Sequence, residues 1–369
     1  MTQGAEGGPG GALVELRDLV KHYRLRHHRR GRQTVRTIRA VDGVTFSIHR
    51  QSTFGLVGES GCGKSTLGRL LLRLEKPTSG QVTFDGGDWL AGRGQELRRA
   101  RKDVQAIFQD PLGSLDPRHR VVDVVSEALE AHGVIAGKRE RHDRSLELLE
   151  SVGLRAEVAK RYPRELSGGQ RQRVTIARAI SVDPKFLVCD EAVSSLDVSV
   201  QAQVVNLLDE LQETLGISYL FISHGLATVR HVADEIGVMY LGRLVERAPA
   251  DELFSSPAHP YTGALLAAAP VPDPAVGNAG PPLRGEVPSA TDLPSGCRFR
   301  LRCPRAEAIC AEVEPEMVQC SPAHEVACHF PMSSPVPLRR PGGLAVDDRP
   351  PGGAPGQPVP EREEKEAAR

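Results

Sequence analysis

From Ala12 to about Leu253, compact apolar runs alternate with amphipathic stretches. Ser52–Val57, Phe186–Cys189 and Ser218–Ile222 are short and uninterrupted, the pattern of strands buried on both faces. Gln201–Leu215 carries leucine or valine at 204, 207, 208, 211 and 215, which gives a helix one apolar face. Thr66–Leu74 and Val174–Ile180 are further helical runs. This alternation predicts an α/β domain with a largely parallel sheet.

Two regions interrupt the pattern. Between Lys21 and Arg39 stand eight Lys or Arg and no Asp or Glu. With Tyr23 as the one aromatic there, base stacking has little support, and the run reads as a solvated loop between two edge strands. After Leu253, Pro-rich connectors at Ser255–Pro260 and Pro270–Pro282 flank a short helix candidate, Tyr261–Ala269. A Cys-containing window follows from about Pro294 to Phe330, and Pro331–Arg369 reads as a disordered tail. No internal repeat is evident.

Bulk properties narrow the class. The 369 residues fit roughly two domains. Lys plus Arg and Asp plus Glu are both 47, and this balance argues against a dedicated DNA-coating protein. No apolar run reaches membrane-spanning length, and Met1–Gly11 lacks the basic start and apolar stretch of a secretory signal, so a cytoplasmic location is expected. Of seven cysteines, Cys62 and Cys189 stand alone, while Cys297, Cys303, Cys310, Cys320 and Cys328 share one window. In a reducing cytoplasm such a cluster points to a metal rather than to disulfides.

The candidate chemistry begins at Gly58-Glu59-Ser60-Gly61-Cys62-Gly63-Lys64-Ser65-Thr66, a G-x-x-x-x-G-K-[ST] phosphate loop between a strand and a helix. Its glycines let backbone N–H groups close around phosphates at a helix N-terminus. Lys64 suits the β and γ phosphates, and the Ser65 hydroxyl suits Mg²⁺. The apolar strand before Asp190-Glu191 places two carboxylates at the carboxyl edge of the sheet. Asp190 fits a role at Mg²⁺, and Glu191 fits polarising a water beyond the γ-phosphate.

Leu166-Ser167-Gly168-Gly169-Gln170 opens the helical run in which Ser167 can cap the N-terminus and the glycines admit a phosphate. In this order after the phosphate loop and before Asp190-Glu191, the segment resembles the signature sequence of ABC-type ATPases. The resemblance implies a P-loop NTPase of ABC type with a helical subdomain. It further implies that Gln109 is the Q-loop glutamine, sensing Mg²⁺ and water and contacting a membrane partner. Asp197 in Ser195-Leu196-Asp197 would lie at the dimer seam, His224 would contact the γ-phosphate, and Tyr23 would stack on adenine. Two positions depart from the family pattern: Ala192 replaces the usual Pro, and Gly225 the frequent Asp. The family also implies that ATP is sandwiched between the Lys64 loop of one subunit and the Ser167 signature of another.

His22-Tyr23, Ala40–Val44, Val198–Gln203, Val238–Gly242 and His259-Pro260-Tyr261-Thr262 resemble the ATP-binding subunits of oligopeptide/dipeptide importers over about residues 12–332. The implied organisation is a disordered leader (1–11), an ABC ATPase domain (12–255), an oligopeptide/dipeptide transporter C-terminal region (256–332) and a disordered tail (333–369). The implied role is ATP hydrolysis that powers di- or oligopeptide import, with nickel or another small solute as the alternative. Implied partners are a second ABC ATPase subunit, in a heterodimer or with itself, two integral membrane permeases and, indirectly, an extracytoplasmic solute-binding protein. Nucleic acid is not among them. The implied place is peripheral, on the cytoplasmic face of the cell membrane. A soluble non-transport ABC ATPase is the rival; it usually carries long coiled coils or a second motif set, and neither occurs here.

Cys297, Cys303, Cys310 and Cys328 are separated by 5, 6 and 17 residues, unlike the C-x₂-C pairs of structural zinc. Four thiolates suit a [4Fe-4S] cluster, and some members of the resembled group look like cluster-binding proteins at these positions. Zinc and reduced, unliganded thiols are the alternatives, and Cys320 is the spare.

Overall fold

The computed structural model describes residues 11–29, 32–268 and 285–332. The leader 1–10, the connector 270–282 and the tail 333–369 lie outside the described residues. Chain order gives β1 (Ala12–Arg29), β2 (Arg32–His49), β3 (Thr53–Val57), β4 (Ser79–Phe84), β5 (Gly87–Asp88) and β6 (Val104–Ile107). There follow β7 (Phe186–Asp190), β8 (Ser218–Ser223), β9 (Glu235–Tyr240), β10 (Arg243–Pro249), β11 (Val318–Ser321) and β12 (His324–Val326).

Two sheets result. The larger has the order β11-β12-β10-β9-β3-β8-β7-β6, and the smaller β2-β1-β4-β5. Strands β9, β3, β8, β7 and β6 pair in parallel, whereas β9–β10, β10–β12 and β12–β11 are antiparallel. The three sequence-expected strands are all central, and their side chains divide by alternation. Phe186, Val188, Leu220 and Ile222 enter one core, shared with the smaller sheet, while Leu187, Cys189, Tyr219 and Phe221 enter the other. This period of two with both faces buried explains why the runs are uniformly apolar.

The helix Val198–Leu215 buries Val204, Leu207, Leu208 and Leu211 as its spacing requires, with Val205 added. Leu215 departs from the expected face: it ends the helix and is exposed. Helices Val121–Ala131, Lys138–Ser151 and Gly168–Ile180 pack together as a helical subdomain over residues including Val125, Leu149 and Val174.

The basic run is not a loop. β1 and β2 pair antiparallel along their length, with register shifts before His22 and unbroken register from His22 opposite Arg39 to Arg29 opposite Arg32. Charge spacing hid the β-branched Val35, Thr37 and Ile38, which favour a pleated strand. Near its base the hairpin also finds partners: Lys21 Nζ donates to the Lys76 carbonyl at 2.7 Å, and His22 meets Asp42 at 2.7 Å.

The C-terminal region joins the main sheet rather than hanging from it. β12 pairs with β10, setting Val326 opposite Glu246. The Glu246 carboxylate is fully buried and accepts from the backbone N–H of Ala258 (2.6 Å) and His259 (2.9 Å). It also meets His324 Nε2 at 2.7 Å. Burial works against charging His324, but the hydrogen bond and charge of Glu246, aided by Glu252, outweigh it and raise its pKa. The result is a buried, hydrogen-bonded carboxylate–imidazole pair, tolerated inside because the carboxylate oxygens are satisfied.

Candidate functional site

The phosphate loop follows β3, whose parallel neighbours β8 and β9 fix its exit. The helix Lys64–Leu71 starts from Gly63 in the left-handed region, φ 115°. A Cβ there would sit 2.0 Å from the Ala40 carbonyl oxygen, so this glycine is required twice over. Lys64 is buried, and its Nζ donates to the carbonyls of Gly58 (2.7 Å) and Glu59 (3.1 Å). A bound phosphate would have to draw the ammonium off these carbonyls. Cys62 is buried behind the loop, and burial pushes its thiol up, so it reads as packing.

The ends of β7 and β8 complete the catalytic edge. Ser65 Oγ donates to Asp190 Oδ1 at 2.9 Å, joining the loop to the acidic strand end. Burial raises the pKa of Asp190 despite that bond, a cost that a divalent cation would remove. Glu191 has a left-handed backbone, φ 50°, unusual for a non-glycine residue and common where function over-determines geometry. Its N–H donates to the Ile222 carbonyl of β8 at 2.9 Å. Its Oε2 lies 3.6 Å from Nδ1 of His224, which follows β8 and is largely exposed. A carboxylate and an imidazole thus share the mouth of the loop and can hold a water between them and a phosphate.

The other expected residues lie around this centre. Gln109 follows β6, which pairs with β7 at Ile107–Cys189, and its side chain is exposed. Tyr23 is half-buried on β1, hydrogen-bonded to Glu75, with Lys21 Nζ 4.9 Å from its ring centroid. Burial and the Glu75 hydrogen bond raise its pKa, so the phenol stays neutral. Ala192 is buried in the core, and Gly225 has an ordinary φ of −94°, so neither departure distorts the strand ends.

Ser167 caps the helix Gly168–Ile180, its Oγ accepting from Gln170 N at 3.2 Å while Gln170 Oε1 accepts from Ser167 N at 3.1 Å. This is a full capping box. The glycines have a reason the sequence did not disclose. A Cβ on Gly169 would sit 2.6 Å from Val200 Cγ1, and one on Gly168 3.3 Å from Leu196. The signature helix is therefore seated on the turn that carries Asp197. Ser167 and Asp197 are exposed, and Val198 is 81% exposed.

The cysteines also gather. Cys297, Cys303, Cys310 and Cys328 line one cavity of about 10 Å³, whereas Cys320 is exposed and faces the His324 carbonyl. All are free thiols. Burial raises the pKa of Cys297 and Cys303 and pushes Cys328 up to about 11. Among the described residues no three His, Cys, Asp or Glu side chains close on a single-ion geometry.

Sequence reasoning missed the residues that tie the C-terminal region to this site. Arg298 is buried, hydrogen-bonded to Asp42 and to the Leu241 carbonyl. Arg302 holds Glu59 through a two-point fork of 2.6 and 2.9 Å. Tyr261 Oη accepts the Glu59 N–H at 2.9 Å. The available signal was three alternating arginines, Arg298, Arg300 and Arg302, inside a seven-residue segment bounded by cysteines; the partners of Arg298 and Arg302 are too distant in sequence for spacing to reveal.

Comparison with known proteins agrees with these features. Residues 41–194 match the family model "ABC transporter", and residues 245–310 match "Oligopeptide/dipeptide transporter, C-terminal region". The oligopeptide transport ATP-binding protein AppF of Bacillus subtilis is 48% identical over 321 residues, 86% of this chain and 97% of that protein. A probable peptide ABC transporter ATP-binding protein, y4tS of Sinorhizobium fredii, is 49% identical over 320 residues, 86% of this chain and 90% of that protein. Among solved structures, the ATP-binding cassette MJ0796, a dimer in a post-hydrolysis state with ADP and Pi, is 27% identical. It superposes with a TM-score of 0.57 over 64% of this chain and 98% of that one.

Proposed function

The chain belongs to the ABC transporter ATPases, among the peptide-importer ATP-binding subunits, and we propose that it powers uptake of di- or oligopeptides through a membrane permease pair. The observation that carries the ATPase chemistry is the meeting of Lys64, Ser65, Asp190, Glu191 and His224 at one sheet edge. The peptide assignment rests on relatives that are similar over nearly their whole length.

In the proposed mechanism the Gly58–Thr66 loop cradles the phosphates, and Lys64 exchanges its carbonyl partners for β and γ oxygens. Ser65, Asp190 and Gln109 would hold Mg²⁺, which would supply positive charge against the phosphate oxygens. Glu191 takes the proton of the attacking water, and His224 holds the γ-phosphate end. Tyr23 stacks on adenine. Ser167, Gly168, Gly169 and Gln170 of a second subunit close the site, with Asp197 at the seam. Support for closure in trans is the exposure of Ser167, Asp197 and Val198 on one seated unit. The second subunit is a related ATPase chain or another copy of this one. The switch is a ligand-driven population shift between open and closed dimers.

A groove of about 650 Å³ lined by residues including Leu72, Leu97, Arg101, Phe108 and Arg178 lies beside Gln109 and supports docking of a permease there. No helix among the described residues is long and apolar enough to cross a membrane, which fits a peripheral subunit on the cytoplasmic face. The proposed division stays an ATPase domain over 12–255 and the transporter extension over 256–332. Reconstitution with the two permeases should give ATP turnover that rises when a peptide-loaded receptor is added. Turnover responsive to a nickel chelate but not to peptide would replace the solute; co-purification with ribosomes or nucleic acid would overturn the importer.

For the cysteines we propose a [4Fe-4S] cluster: Cys297, Cys303, Cys310 and Cys328 line one cavity, and four thiols are the donor set such a cluster takes. Cys297, Cys303, Cys310 and Cys328 would hold it, and it would supply a rigid, redox-active tie. Anaerobically purified protein should be brown and contain iron, and Cys310→Ser should lose both. Colourless, iron-free protein from that preparation would remove the cluster.

A further inference from the structure

We infer that Arg302 and Tyr261 are positioning residues for the phosphate loop, through which the C-terminal extension sets both the charge and the shape of the ATP site by way of Glu59. This rests on the reading of Gly58–Thr66 as that site.

Glu59 is the second residue of the loop, and its carbonyl is one of the two that hold Lys64 Nζ. Its carboxylate would repel the triphosphate that Lys64 attracts. Arg302 answers that charge from 243 positions along the chain, with NH1 and NH2 each bonded to one Glu59 oxygen. The side chain of Arg302 is only 4% exposed, so the pair is shielded and geometrically fixed rather than a solvated surface contact. The same residue is gripped at its backbone. Tyr261 Oη accepts the Glu59 N–H, orienting the peptide that begins the turn toward Lys64.

Both contacts share one support. Tyr240 packs against Tyr261 with ring centroids 4.7 Å apart and against Phe299 at 5.3 Å, and the Arg302 guanidinium lies 6.0 Å from the Tyr240 ring. His259 fixes the entry of Tyr261: its Nδ1 accepts the Tyr261 N–H at 3.0 Å. Burial pulls its pKa down to about 4, which keeps that nitrogen free to accept at neutral pH. The segment Cys297–Cys303 therefore turns its cysteines and Arg300 to the small cavity, and Arg298 and Arg302 to the ATPase, where they meet Asp42 and Glu59.

The test is equilibrium binding of ATP to the purified full chain, read by displacement of a fluorescent ATP analogue. Arg302→Ala should weaken ATP binding about tenfold, because an unpaired carboxylate then faces the phosphates. Adding Glu59→Gln to that variant should restore binding to within about twofold of the parent, since the charge in question is gone. Tyr261→Phe, which removes one hydroxyl and keeps the ring, should weaken binding by about threefold. A purely structural arginine would lower the melting temperature in both Arg302 variants with no recovery of ATP binding in the double one, and that result overturns the inference. So does unchanged binding in both Arg302→Ala and Tyr261→Phe. Should Arg302→Ala fail to fold, Arg302→Gln removes the charge and keeps most of the side-chain length; binding within twofold of the parent there, alongside unaffected Tyr261→Phe, is equally fatal. Lys64→Ala separates the two readings: if the parent binds ATP no better than Lys64→Ala, the loop assignment itself fails.

Discussion

Glu191→Gln is expected to reduce ATP turnover by about 10²-fold or more while leaving ATP binding intact, because it removes a proton acceptor and little else. The substitution keeps the shape of a side chain that is 15% exposed and 3.6 Å from His224. Lys64, Ser65 and Asp190, which carry the proposed phosphate and Mg²⁺ contacts, are untouched. Binding without hydrolysis should then accumulate the closed state, so dimers should persist in ATP during gel filtration, where the parent chain returns to its resting distribution. Undiminished turnover would take Glu191 out of the mechanism. Loss of ATP binding would mean that the strained backbone at φ 50° had collapsed, and a circular dichroism spectrum unlike the parent's would show it.

Glu246→Ala is expected to cost about 3–5 kcal/mol, the largest stability loss of any single side chain discussed. Its carboxylate is fully buried and satisfies two backbone N–H groups and His324 at once. Truncation would leave both N–H groups without their acceptor in the interior, and His324 would keep only the more distant Glu252. In a chain of this size that corresponds to a fall in melting temperature of about 4–6 °C. Glu246→Gln, which keeps one acceptor oxygen and the volume, should lose less. A melt of Glu246→Ala within about 1 °C of the parent, roughly 1 kcal/mol on the same scale, would show that water replaces the carboxylate.

The parts legible in the sequence are those whose physics is local. Ser52–Val57, Phe186–Cys189 and Ser218–Ile222 read as buried strands because both faces are apolar, and the structure places them at the sheet centre. The Lys64 loop and the Ser167 cap could be read because each is a short turn whose residue types answer to backbone geometry. The β1–β2 hairpin was misread since charge dominated the pattern while the β-branched positions decided the conformation. Beside the phosphate approach that the resemblance implies, Gly169 has a packing reason in Val200, which no local pattern in the sequence shows. Arg298, Arg302 and Tyr261 were invisible as site residues for another reason. Their partners, Asp42 and Glu59, lie some two hundred residues earlier, and long-range pairs of opposite charge leave no periodic trace.

The pairing of β10 with β12 also bears on how the chain is made. Glu246 leaves the ribosome about 80 residues before its opposite number, Val326, and before His324. At about 5–20 residues per second, the nascent cassette spends about 4 to 16 seconds with a bare sheet edge and a stranded buried acid. During that interval β10 presents an open ladder to any neighbouring strand. Biogenesis therefore has a vulnerable window whose length is set by the distance from β10 to β12, and lengthening the connector at 269–284 would prolong it.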